Sequence, residues 1–388
     1  MNKKLLIMGL AAAAIMAACE KTPTTGFPPD STVDLSKLTA DACPNGEFIV
    51  QDGMVLTDTL DGLQQNVKII IAEGATVTLS NAAILAEDTG LYNTRWAGIN
   101  CAGDATIVLD GENAVSSFNR CFPAIAGGPE GTTLTIRGEG SLTATAFSVG
   151  IGSSFYESCG NIRIEGGTIT TVVDQGGGAG IGSDVNFSCG DITICGTAVV
   201  TATGSWDGAG IGSGEGGSRC GDIAISGNAV VTATGGLNGG GAGIGCGNGG
   251  DCGNITISGG TVWARGIGTA AGIGCGSGEG LCGDISIMCG DDFVSVTAIR
   301  GNGAKRSIGI TEDVNGSNNS GAMCGRITFD GIEVFNGLEY VVFKVPEDWN
   351  YGDLIFKKST TTFSEEEDDE GEESPYTDNT WTLTVRID

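Results

Sequence analysis

Cys252-Gly253-Asn254-Ile255-Thr256-Ile257-Ser258-Gly259-Gly260-Thr261-Val262-Trp263-Ala264-Arg265, followed after a glycine-rich turn by Ala271-Gly272-Ile273-Gly274, is one unit of a repeat that decides the fold. Ile255-Thr256-Ile257 alternates apolar and polar residues, the period of a strand with one buried face. Ser258-Gly259-Gly260 turns the chain. Val262-Trp263-Ala264-Arg265 alternates again, with Val262 and Ala264 on the inner face, and Ala271–Gly274 reads as a third short strand carrying one inward isoleucine. A glycine-rich loop then leads to the next copy.

The copies recur at a spacing of about thirty residues. Cys159-Gly160-Asn161-Ile162 returns as Cys189-Gly190-Asp191-Ile192, Cys220-Gly221-Asp222-Ile223 and Cys282-Gly283-Asp284-Ile285, with a degenerate copy at Cys324-Gly325-Arg326-Ile327. The Ala-Gly-Ile-Gly element recurs at Ala179–Gly182, Ala209–Gly212 and Ala242–Gly245. Self-similarity at a fixed period marks a stacked architecture. Three short strands per turn, with the same residue types at each level, specify an all-β, right-handed parallel β-helix, the hand following from the crossover rule. Eight or nine rungs spaced by about 4.8 Å would make a rod about 40 Å long. Looser rungs precede the regular ones, at Ala105–Leu109 and Thr133–Ile136, and Val67–Ile71 and Ala75–Leu79 begin the stack. The open ends need caps. Asp34–Ala42 suits a short N-terminal cap helix. Leu338–Val345, Asp353–Lys357 and Thr380–Ile387 suit a small C-terminal β cap. The expected organisation is a leader over residues 1–18, a tether and cap over 19–45, the β-helix over 46–331, and the cap with an acidic loop over 332–388.

Composition narrows the chemistry. The 388-residue chain has 68 glycines and a net charge of −28. The glycines fall at fixed repeat positions and so serve turns rather than disorder. So acidic a chain does not bind nucleic acid through its general field. It contains no histidine, which removes Ser-His-Asp and Cys-His nucleophile systems, histidine bases and histidine-containing metal sites. Asp, Glu, Lys, Arg and Tyr remain for chemistry.

Six of the 14 cysteines stand in one column, Cys159, Cys189, Cys220, Cys252, Cys282 and Cys324. Stacked Cβ atoms about 4.8 Å apart exceed the roughly 3.8 Å that a bridge prefers, so vertical disulfides are not expected. Cys246 with Cys252, and Cys275 with Cys282, flank equivalent loops and are the candidate disulfides. Other copies carry Ser153, Ser183 and Ser213 where Cys246 and Cys275 stand. One cysteine per rung in the column, without a paired CxxC, argues against a zinc site, and no metal ligands are assigned. The acidic run Glu365–Glu373 reads as a solvated loop. Calcium is the one cofactor its oxygen-rich composition suits, but it has no calcium-loop spacing.

Aligning first strands stacks Asp110, Arg137 and Glu165 on consecutive rungs, which reads as an ion-pair ladder rather than a catalytic carboxylate pair. Asn161, Asp191, Asp222, Asn254 and Asp284 form a column expected to satisfy backbone donors at the turn into the first strand. Trp206 and Asp207, in the loop after a second strand, and Trp263 and Arg265, on the outward face of another, are the candidate ligand-binding residues: aromatic faces beside charged groups suit sugar rings. Phe155, Tyr156 and Phe187 lie in long loops on another edge.

At the N-terminus, Lys3 and Lys4 precede an apolar run, Leu5–Ile15, that is too short to span a bilayer and reads as a signal peptide. Met16-Ala17-Ala18-Cys19 resembles a bacterial lipobox, which implies lipidation of Cys19. Glu20-Lys21 resembles the charged segment that sends some Gram-negative lipoproteins to the cell surface. The repeats as a whole resemble those of uncharacterised bacterial surface lipoproteins of the pectin-lyase-like β-helix superfamily, over roughly residues 50–330. The resemblance implies the fold and an outer-membrane, surface-exposed address, and hardly any activity. The expected role is a non-enzymatic, glycan-binding or adhesin-like surface protein. Its partner would be a polysaccharide or a host or bacterial surface protein, and its one membrane contact the lipid anchor. A polysaccharide lyase or hydrolase and a structural stalk are the alternatives.

Overall fold

The computed structural model describes residues 28–38, 43–58, 67–85, 96–237, 239–288, 294–304, 306–310, 322–329, 331–335, 354–363 and 376–385, the last two segments and 332–335 by their backbone. The described chain is a parallel β-solenoid. Its only helical elements among these residues are single 3-10 turns at Leu35–Lys37 and Pro44–Gly46. Among the described residues no helix is long and apolar enough to cross a membrane.

Each regular rung contributes to three long sheets. In the rung read above, the strands are Ile255–Ile257, Gly260–Arg265 and Ile273–Gly274. The third-strand sheet stacks ten strands, more than the eight or nine rungs expected. From Ile99 to Ile308 it marks seven turns of about thirty residues. Register is strict: Ile181, Ile211, Ile244 and Ile273 pair in series, as do Ile192, Ile223, Ile255 and Ile285. All eight are fully buried. Each such side chain contributes about 1.5–3 kcal/mol, and because every rung repeats it, the core is a continuous column rather than a central cluster.

Two glycines of the repeat are required by this stacking. Gly182, Gly212 and Gly245, which close the Ala-Gly-Ile-Gly element, have φ of +138°, +136° and +129°. A Cβ on any of them would fall inside the carbonyl oxygen of the equivalent glycine one rung on. The glycine of Cys-Gly-Asp has a second task. A Cβ on Gly221 or Gly253 would strike the carboxylate oxygen of Asp191 or Asp222 in the preceding rung. That oxygen accepts a backbone N–H: Asp222 N–H donates to Asp191 at 2.8 Å and Asn254 N–H to Asp222 at 2.7 Å. The Asn/Asp column is therefore a backbone-satisfying ladder, continued from Asn161 through Asp284, where Arg326 ends it with a 2.7 Å ion pair.

Several expectations are corrected. A fourth sheet of five two-residue strands, from Ser188–Cys189 to Met323–Cys324, carries the cysteine column from Cys189 onward, with Cys159 outside it. Three strands per rung was thus one too few in these turns. Of the cap helix expected over Asp34–Ala42, residues 34–38 hold a single 3-10 turn, Leu35–Lys37, entered from a strand, Thr32–Asp34, with Ser36 N–H capped by Asp34, and residues 39–42 lie outside the described residues. The Asp110–Arg137–Glu165 ladder does not form. Arg137 pairs in register with Val108, two residues before Asp110. Asp110 instead accepts from Ser80 at 2.8 Å, and Glu165 from Arg163 at 2.6 Å. The sequence alignment matched residue types where the backbone had advanced by two.

At the C-terminal end Leu354–Phe363 and Tyr376–Val385 form an antiparallel hairpin whose second strand pairs antiparallel with Val294–Ile299. It caps the second-strand sheet. Cys19, the strand expected at Leu338–Val345 and the acidic run Glu365–Glu373 lie outside the described residues.

Candidate functional site

The loop that joins the third strand to the fourth-sheet strand occurs in five comparable copies: 153–159, 183–189, 213–220, 246–252 and 275–282. The first two carry aromatic residues, and the structure gathers these. Phe155 and Tyr156 have ring centroids 5.6 Å apart. Phe155 reaches Phe187 of the next rung at 6.0 Å, and Tyr156 reaches Phe122 of the preceding one at 5.6 Å. Phe155 and Tyr156 remain 45% and 49% exposed, so this cluster of four rings displays its two central members to solvent rather than folding them over the coil. Local hydrogen bonds hold the loop's shape. The Ser154 hydroxyl accepts the N–H groups of Tyr156 and Glu157, and Phe155 N–H donates to the Cys121 carbonyl at 3.0 Å.

The same loop forms one wall of a cleft of about 440 Å³. Its polar lining comes from Ser153, Ser154, Glu157 and Ser158, faced by Glu130. Phe155 and Tyr156 do not line the cleft themselves but lie in sequence between Ser154 and Glu157, which do, so one loop carries both the rings and the cleft wall. Hydroxyls and carboxylates beside exposed rings can hydrogen-bond and stack on one ligand. Sequence reading noted Phe155, Tyr156 and Phe187 but not that they meet. Phe122, Glu130 and Glu157 were not singled out, since Phe122 and Glu130 precede the regular repeat and no local pattern marks them.

Beneath this edge lies a buried acid. Asp184 is 1% exposed. Burial pushes its carboxyl up to about 6, against hydrogen bonds from the Ser148 hydroxyl and Val185 N–H that favour the charged form. Its own N–H donates to Ser153 at 2.7 Å, which ties the second loop copy to the cleft wall.

The residues expected to bind ligand are placed differently. Trp263 and Arg265 share the outward face of one strand, Trp263 half-buried between Thr232 and Thr297 in register and Arg265 exposed. Trp206 and Asp207 lie in a turn two rungs earlier. Trp206 is 45% exposed on a left-handed backbone with φ +40°, and Asp207 is half-buried, its carbonyl accepting Asn248 N–H. Trp263 is in register with Thr201, five residues before Trp206. Among the described residues no ring contact joins the two tryptophans. The structure gathers aromatic rings at the 153–159 loop instead.

The later copies of the loop gather sulphur. The Cys246 and Cys252 Sγ atoms are 3.1 Å apart, and Cys246 is the donor. These and Cys282 Sγ all lie within 4.8 Å of one another. All four candidate disulfide cysteines are buried with free thiols. Hydrogen bonds from Cys246 and Cys282 hold the Cys252 thiol below its ordinary value, while Cys246 and Cys275 are raised. Spacing gave the Cys246–Cys252 pair across the loop, but not that Cys282 of the next rung joins it.

Residues 192–215, 223–248 and 255–277 match the beta helix repeat family model. Searches of curated proteins and of solved structures gave no match. These three stretches carry beta helix repeats, and the in-register coil continues the same parallel β-solenoid fold on either side of them.

Proposed function

We propose that this protein is a surface-anchored, non-enzymatic lipoprotein that binds glycan through the aromatic-edged cleft at residues 153–158. The lipobox-like leader supports the anchor. The observation that carries the binding reading is the four-ring cluster Phe122–Tyr156–Phe155–Phe187 beside a cleft lined by serine hydroxyls and two glutamates. A ring face accepts the apolar face of a sugar, and the hydroxyls and carboxylates fix its orientation. Trp206 and Trp263 then act as outlying contacts for a longer chain.

A glycan array probed with residues 26–388, with calcium and with chelator, tests the reading. Retention of a glycan that is lost in Tyr156→Ala supports it. No retention of acidic or neutral glycans sinks it and moves the weight to a protein-binding adhesin or a stalk.

Glu130 and Glu157 on one cleft favour a second reading, hydrolysis or elimination on the bound glycan. Product analysis on any retained glycan decides it: cleavage abolished by Glu157→Gln makes the protein an enzyme, and an intact glycan leaves it a lectin.

A further inference from the structure

The thiol cluster is a feature the glycan reading does not use. Cys246 and Cys252 close one loop copy, and Cys275 and Cys282 close the next. In register Cys252 stacks under Cys282. The column of the third strand places Cys246 under Cys275, since Ile244-Gly245 pairs with Ile273-Gly274. Two columns one sulphur wide thus become a block of four thiols in adjacent rungs. Cys246 and Cys275 are fully buried, and Cys252 and Cys282 are 7% and 5% exposed.

We propose that Cys246, Cys252 and Cys282, with Cys275 in the fourth position, bind one thiophilic cation of the zinc type. Thiolates sharing one tetrahedral zinc, with Zn–S of about 2.3 Å, stand about 3.8 Å apart. The sulphurs here bracket that value, from 3.1 Å for Cys246–Cys252 to within 4.8 Å for the trio. Cys275 Sγ donates to the Met323 carbonyl at 3.3 Å and would give up that bond to take the fourth position. Soft sulphur donors select zinc or copper(I) over calcium or magnesium, and a closed, buried shell is the form of a structural site. The earlier loop copies cannot do this. There the position of Cys246 is held by Ser153, Ser183 and Ser213, whose hydroxyls accept backbone N–H groups of the next rung. Cys189 and Cys220 therefore stack without a lateral thiol partner from this column.

Titrating the reduced, chelator-stripped full chain with Co²⁺, a coloured stand-in for Zn²⁺, tests the site. The expected result is thiolate-to-cobalt charge transfer and the visible bands of tetrahedral cobalt. Both should saturate at one equivalent and be abolished by Zn²⁺. Cys246→Ser/Cys275→Ser should remove them while the β circular dichroism persists, because serine already occupies this position in three rungs. Cys189→Ser should leave them intact. Absence of charge transfer in the wild type overturns the proposal, as does its survival in the double variant. A Cys246–Cys252 bridge in the protein as isolated also overturns it, in favour of the disulfides expected from spacing.

Discussion

The edge loop at 153–159 and its counterpart at 246–252 start from the same backbone position and do opposite things. The first has Ser153 at its start and Phe155 and Tyr156 at its tip. The second has Cys246 at its start and only glycine, asparagine and aspartate before Cys252. In the first, the small polar residue turns back to the ladder: Asp184 N–H donates to the Ser153 hydroxyl at 2.7 Å. The tip is thereby pinned, and its rings are held out beside the cleft. In the second, the sulphur turns across the loop to Cys252 at 3.1 Å, and the short glycine-rich tip carries no ring. A solenoid repeats its backbone, so a change of one atom type at a fixed position converts a hydrogen-bonded edge into a sulphur-lined one.

Both loops hang on a shared frame, and breaking that frame has the largest expected effect. Gly212→Ala, just before Ser213, forces a Cβ into the Gly245 carbonyl at φ +136°. A loss of about 4 kcal/mol or failure to fold is expected, read by thermal or denaturant unfolding. An ordinary melting curve would mean that the third-strand stacking is looser than described.

The buried acid comes next. Asp184 has a native pKa of about 6 against an ordinary 3.8, so the folded state holds the proton more tightly than the unfolded chain. Its contribution is fully present below about pH 4 and is lost as pH rises through about 6, with about 3 kcal/mol at stake. Asp184→Asn should therefore raise stability at about pH 8 by up to about 3 kcal/mol and change little near pH 4. Equal effects at both pH values would refute the buried-carboxylate account. Both denaturation series use one variant, so the comparison is internal.

A smaller effect separates the serine rungs from the cysteine rungs. Ser183→Ala leaves the Gly214 N–H, now 3.1 Å from the hydroxyl, without its partner in a buried position. A cost of about 1–2 kcal/mol is expected. Cys275→Ser in the metal-free protein should cost less than about 1 kcal/mol. If the two costs prove equal, the serine hydroxyls are not what holds the first edge. Phe155→Ala with Tyr156→Ala should cost about 1 kcal/mol, because both rings are nearly half exposed yet give up three ring contacts. On the glycan reading the same change weakens retention by at least about 10-fold, as loss of an aromatic anchor does.

Much of this molecule is legible in its residues because the repeat makes local rules visible many times over. Alternation fixed the inward face of Ile255, Ile257, Val262 and Ala264, all buried. The Asn/Asp column was readable as a backbone ladder, since an Asx side chain before a strand has few other uses. The Asp110–Arg137–Glu165 stack was not readable: in the looser early rungs a register offset of two residues leaves the residue types plausible and moves the partners.

By itself the sequence determined the period, three of the four strands in the regular rungs and the positions that only glycine can fill, because these depend on neighbours along the chain and one rung away. The tertiary structure alone decided what meets across the loops: the four rings on the loop that walls the cleft, the burial of Asp184, and the joining of the Cys246–Cys252 pair to Cys282 in one cluster. Those contacts join side chains whose distance is set by how a loop closes over the coil, and loop closure leaves no period in the sequence to read.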